Sequence, residues 1–164
     1  MPDTPVPALS DAQSLILREA EAARAAAAGK PYTWGGSTTE GFDCSGFVIH
    51  VFNKAYGTNT LARVTADDLR TGGRFPAVDA PGAPGDLVFF APAGTSRATH
   101  VGIVVSATEW IGSQSSTGVA TVKFTNSYWQ PRILSYGRYQ PLQAARAIIP
   151  MRAGSFASVI NRTA

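Results

Sequence analysis

Cysteine is nearly absent from this 164-residue sequence: Cys44 is the only one, so no disulfide bond can form within the chain. The fold therefore does not depend on an oxidising compartment, and a hydrophobic core has to stabilise it. Hydrophobic residues make up 45% of the chain and charged residues 15%, which suits a single compact domain. The thiol of Cys44 remains free for chemistry.

Histidine is also scarce, since only His50 and His100 occur. One cysteine and two well-separated histidines match no recognised zinc-ligand spacing, so we expect no bound metal. The glycine-rich segments 35–36 and 112–118 lack the strand, lysine and helix that surround a phosphate-binding loop. We therefore expect no cofactor, and we expect no nucleic-acid partner.

Long apolar runs are missing, and residues 1–9 have neither the basic start nor the apolar core of an export signal. We expect no membrane insertion and no Sec-type export, so a substrate outside the cytoplasm would need another route of delivery. A net charge of +3 and a pI near 9.3 favour contact with an anionic surface such as a bacterial wall. A mildly basic soluble protein, which we expect to be monomeric, explains the charge equally well.

The ends of the chain differ from its middle. Residues 1–9 contain three prolines and predict an extended lead-in. Ser10 and Gln13 form a capping-box pattern, and the apolar spacing that follows predicts a helix over 11–28. We assign one domain to residues 10–140 and treat residues 141–164 as an extension, either a short appended element or a partly ordered tail.

Cys44 lies where a loop meets a helix. Apolar residues recur at helical spacing from Phe47 to Ala55, and the preceding glycines and threonines are typical of a loop. A helix should therefore begin at Asp43 or Cys44, with Asp43 suited to the N-cap. The helix dipole should lower the pKa of Cys44, and the free N–H groups could hold an oxyanion. The alternative is a buried structural thiol, the usual state of a lone cysteine.

The second half of the chain predicts strands after a short helical piece at 65–69. Apolar or alternating runs occur at residues 87–90, 100–106, 110–111, 119–124, 128–129 and 133–139. The segment 112–118 is expected to break the third run. Helices followed by a meander of five to six antiparallel strands predict an α+β fold.

Five stretches of the sequence carry a family resemblance. They are Gly29-Lys30-Pro31-Tyr32-Thr33-Trp34-Gly35-Gly36 with Gly41-Phe42-Asp43-Cys44-Ser45-Gly46-Phe47, then Leu61-Ala62-Arg63-Val64-Thr65, Pro84-Gly85-Asp86-Leu87-Val88-Phe89-Phe90 and His100-Val101-Gly102-Ile103. In this order they resemble the NlpC-type family of papain-like cysteine peptidases, which cut peptidoglycan stem peptides. The resemblance covers about residues 10–140. It implies a papain-like core in which N-terminal helices pack on the antiparallel sheet.

The resemblance also implies roles for individual residues. Cys44 would be the nucleophile and His100, at a strand start, the general base, and an ion pair between them would lower the thiol pKa further. His50 is the alternative base, although its place in the Cys44 helix should point it away from the thiol. The backbone N–H of Cys44 and the hydroxyl of Tyr32 would form an oxyanion hole. Tyr32 could instead belong to the core.

A third residue should orient the imidazole by accepting a hydrogen bond from its second nitrogen. In the family this is a polar residue, often histidine, about a dozen positions after the base, but that offset falls on Gly112 here. We predict Gln114, because its carbonyl can accept from the ring N–H. Ser113 and a Cys-His dyad aided by a backbone carbonyl remain as alternatives.

Substrate contacts are predicted beside the nucleophile. The resemblance implies that Asp43 and Ser45 contact a free amino end, although Asp43 could equally serve only as the helix cap. Ala62 and Asp68 replace the proline and the glutamine that are usual in the family, so contacts from this segment should differ. We expect Arg63 to lie on the surface rather than to bind an acidic group.

The predicted activity is that of a cysteine endopeptidase that cuts stem peptides between D-γ-glutamyl and a diamino acid. A cysteine acyl transferase or deacylase and a non-catalytic wall-binding module are the alternatives. The expected place of action is the periplasm or cell wall, reached through a secretion apparatus such as type VI secretion, or by lysis. We favour an antibacterial effector, which implies a cognate immunity protein, over a phage lysin.

Overall fold

A computed structural model describes residues 8–141, so the predictions for residues 1–7 and 142–164 lie outside the described part. The helices are α1 (Asp11–Ala26), α2 (Cys44–Tyr56) and α3 (Ala66–Thr71), with a 3₁₀ turn at Gln130–Arg132. The strands are β1 (Ser37–Thr38), β2 (Gly41–Phe42), β3 (Ala77–Val78), β4 (Leu87–Phe90), β5 (His100–Val104), β6 (Glu109–Gln114), β7 (Gly118–Lys123) and β8 (Ile133–Gly137).

Helix α1 begins with the predicted capping box. The hydroxyl of Ser10 accepts from the backbone N–H of Gln13, and the Gln13 side chain accepts from the backbone N–H of Ser10. Ile16, Ala20 and Ala23 are buried on the face that packs against α2. The small alanine side chains allow the two helices to lie close together.

Helix α2 is the central element of the core. Four of its side chains have no accessible surface, because α1 covers one side of the helix and the sheet the other: Phe47, Val48, Val51 and Phe52. Burying each of these side chains contributes about 1.5–3 kcal/mol relative to exposure. This burial fixes the position of the first turn of the helix, which carries Cys44.

The main sheet has six antiparallel strands in the order β3-β8-β4-β5-β6-β7, and β1 and β2 form a separate two-stranded sheet. One face of the main sheet packs on α2, and the other carries a second apolar cluster that includes Phe90, Trp110 and Tyr136. The predicted α+β fold is confirmed. No helix within residues 8–141 has the length and apolar character that crossing a bilayer requires.

Two strand predictions are wrong: one strand is longer than predicted, and another does not form. Strand β6 continues through Gly112 to Gln114, because Gly112 leaves the space that the side chains of Trp110 and Gln114 occupy. Tyr128 and Trp129 form a turn instead of a strand, since both backbone N–H groups donate to the side-chain oxygen of Asn126.

Candidate active site

Cys44 occupies the first position of α2, in the turn that Asp43 caps. The Asp43 Oδ1 atom accepts from the backbone N–H of Gly46 at 2.7 Å, as the sequence predicts for the N-cap. Gly46 has to be glycine, since a Cβ there would lie 2.0 Å from the carbonyl oxygen of Gly36. We call the space beside the thiol the Cys44 cavity; it measures about 680 Å³ and is lined by Tyr32, Trp34, Asp43, Cys44, Ser45 and Arg63, among others.

The thiol of Cys44 is protonated in the free protein. Burial, with a smaller contribution from the Asp43 carboxylate, raises its pKa to about 11. Backbone N–H groups of Val101, Ser45 and Cys44 act in the opposite direction. The predicted lowering of this pKa is therefore wrong: the helix terminus acts as expected, but burying a thiolate costs more.

His100 is the first residue of β5 and is 8% exposed. Its ring is stacked on Trp129, with centroids 4.5 Å apart, and it also contacts Phe90 and Trp110. Burial lowers the pKa of His100 to about 4, while the contact with Gln114 acts in the opposite direction. At neutral pH these shifts favour the uncharged forms of His100 and Cys44, which argues against the predicted resting ion pair.

Gln114 lies where the sequence predicts it, beside His100. Its Oε1 atom is 3.3 Å from His100 Nε2, and its amide nitrogen donates to Thr117 Oγ1 and to the backbone oxygen of Ala120. Because these two acceptors hold the amide nitrogen, the amide oxygen faces the ring and favours the tautomer protonated at Nε2. Nδ1 is then free to accept a proton.

Ser113 and Gln114 point to opposite sides of β6, as alternation along a strand requires. The hydroxyl of Ser113 donates to the backbone oxygen of Phe42 at 2.8 Å, on the side of the α2 N-terminus. Pairing of Ile103 with Ile111, continued along the same register, places Gln114 opposite His100. The structure therefore brings Gln114, and not Ser113, to the imidazole.

Tyr32 lies between the nucleophile and the base. Its hydroxyl interacts with the backbone N–H of Cys44, and burial is the main cause that raises its pKa. It lines the Cys44 cavity and also the neighbouring space that His100 lines. The N–H of Cys44 and the hydroxyl of Tyr32 are thus close neighbours.

Arg63 lies on the surface, as expected, and its side chain also lines the Cys44 cavity. It donates from Nη2 to Asp43 Oδ2 at 2.6 Å and from Nη1 to Ser45 Oγ at 2.9 Å. Asp43 also accepts from the backbone of Gly35 and Gly46 and from Ser45, so both carboxylate oxygens are used within the protein. Binding of a substrate amine by Asp43 would require Arg63 to move.

His50 lies away from this cleft. It is half-buried in α2, where its ring packs against Phe42 with centroids 5.0 Å apart. It lines surface hollows with Lys54, and burial lowers its pKa. Of the two histidines, the structure places only His100 near the Cys44 helix terminus, beside the residue whose N–H contacts the thiol. No group of three or more metal-binding side chains occurs within residues 8–141.

Three residues around the base escaped sequence reasoning: Thr117, which holds Gln114; Trp129, which stacks on His100; and Arg132, which lines the space beyond the base. Trp129 reaches His100 from a segment that is distant in sequence, whereas Thr117 lies only three residues from Gln114. The only local signal was the Asn126-Ser127-Tyr128-Trp129 segment, whose Asn favours a turn.

Comparison with known proteins agrees with this arrangement. The family described as "NlpC/P60 family" matches residues 29–138. A "Probable peptidoglycan endopeptidase LytE" of Bacillus subtilis is 35% identical over 133 residues, which cover 80% of this chain and 33% of the relative. A "Gamma-DL-glutamyl hydrolase" of the same species is 33% identical over 115 residues, covering 70% and 27%.

The fold comparison gives the same result. The crystal structure of an NlpC/P60 family protein from Bacillus cereus matches with a TM-score of 0.64 and 28% identity, covering 85% of this chain and 42% of the other. The chain spans about a third of the first curated relative and about a quarter of the second. The matched segment contains Cys44, His100 and Gln114, and it extends over most of the described fold. The chain belongs to the NlpC/P60 family.

Proposed function

We propose that the protein is a cysteine peptidase that hydrolyses the D-γ-glutamyl–diamino acid bond of peptidoglycan stem peptides. The observation that carries the proposal is the placement of Cys44 at the α2 N-terminus, in a cavity that shares Tyr32 and Thr99 with the cavity that His100 lines beside Gln114. A reactive sulfur, a positioned base and adjacent oxyanion donors are the groups that acyl transfer from an amide requires.

The uncharged forms of Cys44 and His100 suggest the order of proton transfers. His100 Nδ1 takes the thiol proton while the sulfur attacks the carbonyl carbon, and the N–H of Cys44 and the hydroxyl of Tyr32 donate to the resulting oxyanion. The imidazolium then protonates the leaving amine, and a thioester remains on Cys44. Water, deprotonated by His100, hydrolyses the thioester to a carboxylic acid and restores the thiol. Gln114 holds the ring throughout.

The relatives support the choice of substrate. One of them is named as a probable peptidoglycan endopeptidase and another as a γ-DL-glutamyl hydrolase. One name therefore points to peptidoglycan as the polymer that is cut, and the other points to a γ-glutamyl linkage as the bond. A cysteine peptidase that acts on γ-glutamyl bonds of the wall agrees with both names.

Incubation of the purified protein with wall fragments, followed by mass spectrometry of the products, tests the proposal. We expect new fragments that end in D-γ-glutamate and begin with a free diamino acid, and we expect none from Cys44→Ala. An acyl transferase or deacylase would form a thioester on Cys44 without cleaving muropeptides. Intact fragments after incubation with folded protein would contradict the proposal.

We also propose that the domain acts outside the inner membrane, because peptidoglycan is assembled there. We propose further that it acts as a monomer. An antibacterial effector and a phage lysin both fit this place of action. Only the effector implies a cognate immunity protein, whose binding would protect cells that make the enzyme.

A further inference from the structure

A second cavity, which His100 lines, adjoins the Cys44 cavity. It measures about 250 Å³, and we call it the Arg132 cavity; the residues that matter here are His100, Ser115, Tyr128, Trp129 and Arg132. Tyr32 and Thr99 line both spaces, so the two cavities are parts of one continuous cleft. The nucleophile lines one part and the base lines the other.

Arg132 gives the Arg132 cavity a positive charge. Arg132 is the only residue with a permanent charge among those that line it, and no carboxylate of residues 8–141 forms a salt bridge with this guanidinium. The remaining lining is aromatic, apolar or hydroxylic. An anionic group on an otherwise largely apolar ligand would suit this space.

The guanidinium of Arg132 is held in place before any ligand binds. Its central carbon lies 3.8 Å from the centroid of the Tyr128 ring, and Nη1 donates to the backbone oxygen of Tyr128. Stacking occupies the face of the guanidinium and leaves its other in-plane N–H groups available. Such donors match the two oxygens of a carboxylate.

The chemistry determines which part of the substrate lies in each cavity. The sulfur bonds to the carbonyl carbon, so the acyl portion stays with the Cys44 cavity. The general acid has to reach the leaving nitrogen, so the leaving group extends past His100. Of the two cavities, only the Arg132 cavity is lined by His100.

We propose that the Arg132 cavity is the leaving-group subsite and that Arg132 pairs with a carboxylate of the diamino acid released there. The proposal rests on the proposed peptidase function and adds a specificity: leaving residues that carry a free carboxylate are preferred over amidated ones. Trp129 forms an apolar wall of this subsite while it stacks on the base.

Two substrates that differ only in charge test this subsite. One is L-alanyl-γ-D-glutamyl-meso-diaminopimelate, and the other is the same peptide with the diaminopimelate carboxylates amidated. For the parent protein we expect kcat/KM to be about 10- to 100-fold higher for the free acid, the range of one charge-assisted contact. Arg132→Gln should remove this preference by slowing only the free acid, and Arg132→Lys should restore part of it.

Controls separate this subsite from the chemistry. Arg18→Gln removes an exposed charge on α1 and should leave the preference unchanged, which excludes an effect of net charge. Equal cleavage of both peptides by the parent protein, or an unchanged preference in folded Arg132→Gln, would overturn the subsite while leaving the peptidase function in place. Cleavage of neither peptide would overturn both.

Discussion

The imidazole of His100 is stacked on the indole of Trp129, with ring centroids 4.5 Å apart and an angle of 29° between the planes. At the edge of the same imidazole, the Gln114 Oε1 atom lies 3.3 Å from His100 Nε2. One neighbour therefore fixes the plane of the ring and the other fixes its rotation within that plane. No carboxylate is needed for this positioning, which distinguishes the site from triads that use an aspartate.

The first prediction concerns the proposed nucleophile and the proposed base. Cys44→Ala and His100→Ala should each abolish cleavage of muropeptides, because each removes a bond-forming or proton-transferring group. His50→Ala should remain active, since His50 lies on another part of α2. Product analysis with circular dichroism as the folding control checks this; an inactive, folded His50→Ala beside an active His100→Ala would reverse the assignment of the base.

The second prediction separates Gln114 from Ser113. Gln114→Ala should lower kcat without eliminating turnover, because the amide orients the base and does not contact the substrate. Ser113→Ala should mainly lower stability, by about 1 kcal/mol, since it removes a buried hydrogen bond to the backbone of Phe42. Steady-state kinetics and urea denaturation distinguish the two effects, and equal kcat for Gln114→Ala and the parent would remove Gln114 from the site.

The third prediction uses the pKa of Cys44. Because the thiolate is the reactive species and the pKa lies near 11, alkylation by iodoacetamide should accelerate about tenfold per pH unit between pH 7 and pH 10. Cys44→Ser provides the background. A rate that is already maximal at pH 6 and independent of pH above it would mean that a thiolate–imidazolium pair exists in the free protein.

The fourth prediction concerns stability in acid. The pKa of His100 falls from its ordinary value of 6.5 to about 4 on folding, so the unfolded chain binds the extra proton between these values. The free energy of unfolding is therefore unaffected by this histidine above pH 6.5. It falls as the pH drops towards 4, by about 3 kcal/mol in all. Urea denaturation at several pH values measures this loss.

Two variants assign that acid sensitivity. His100→Gln should make the free energy of unfolding much less dependent on pH over this range, because a neutral amide replaces the titrating ring. His50→Gln should remove only a smaller part, since His50 is half-buried and its pKa is lowered in the same direction. An unchanged pH dependence in His100→Gln would show that the sensitivity arises elsewhere.

The fifth prediction concerns the compartment in which the enzyme is active. The chain expressed in the bacterial cytoplasm should be nearly harmless, whereas its fusion to a periplasmic signal should round and lyse the cells. The fused Cys44→Ala variant should be tolerated at equal abundance. Cytoplasmic toxicity that persists in Cys44→Ala would contradict action on the wall.

Local sequence patterns were enough to predict the helix start that carries Cys44. Asp43 caps α2 and Cys44 begins it because capping preference and helical spacing are properties of neighbouring residues. The start of β5 at His100 follows from alternation in the same way. Gln114 could be predicted only as a candidate, since its contact depends on the length of the β5–β6 hairpin.

Contacts between distant segments were outside the reach of those patterns. Arg63 reaches Asp43 from the loop after α2, and Trp129 reaches His100 from the turn after β7. The pKa of Cys44 was predicted in the wrong direction for the same reason: a helix terminus is visible in sequence, whereas the depth of burial depends on the whole fold.

The burial of Cys44 also bears on its resistance to oxidation. Peroxide reacts with the thiolate, and a thiol that is 7% exposed and protonated at neutral pH offers little of that species. The chain has no second cysteine that could protect the first as a disulfide. A buried thiol that is mostly protonated at neutral pH should therefore react slowly with peroxide, even without a reductant.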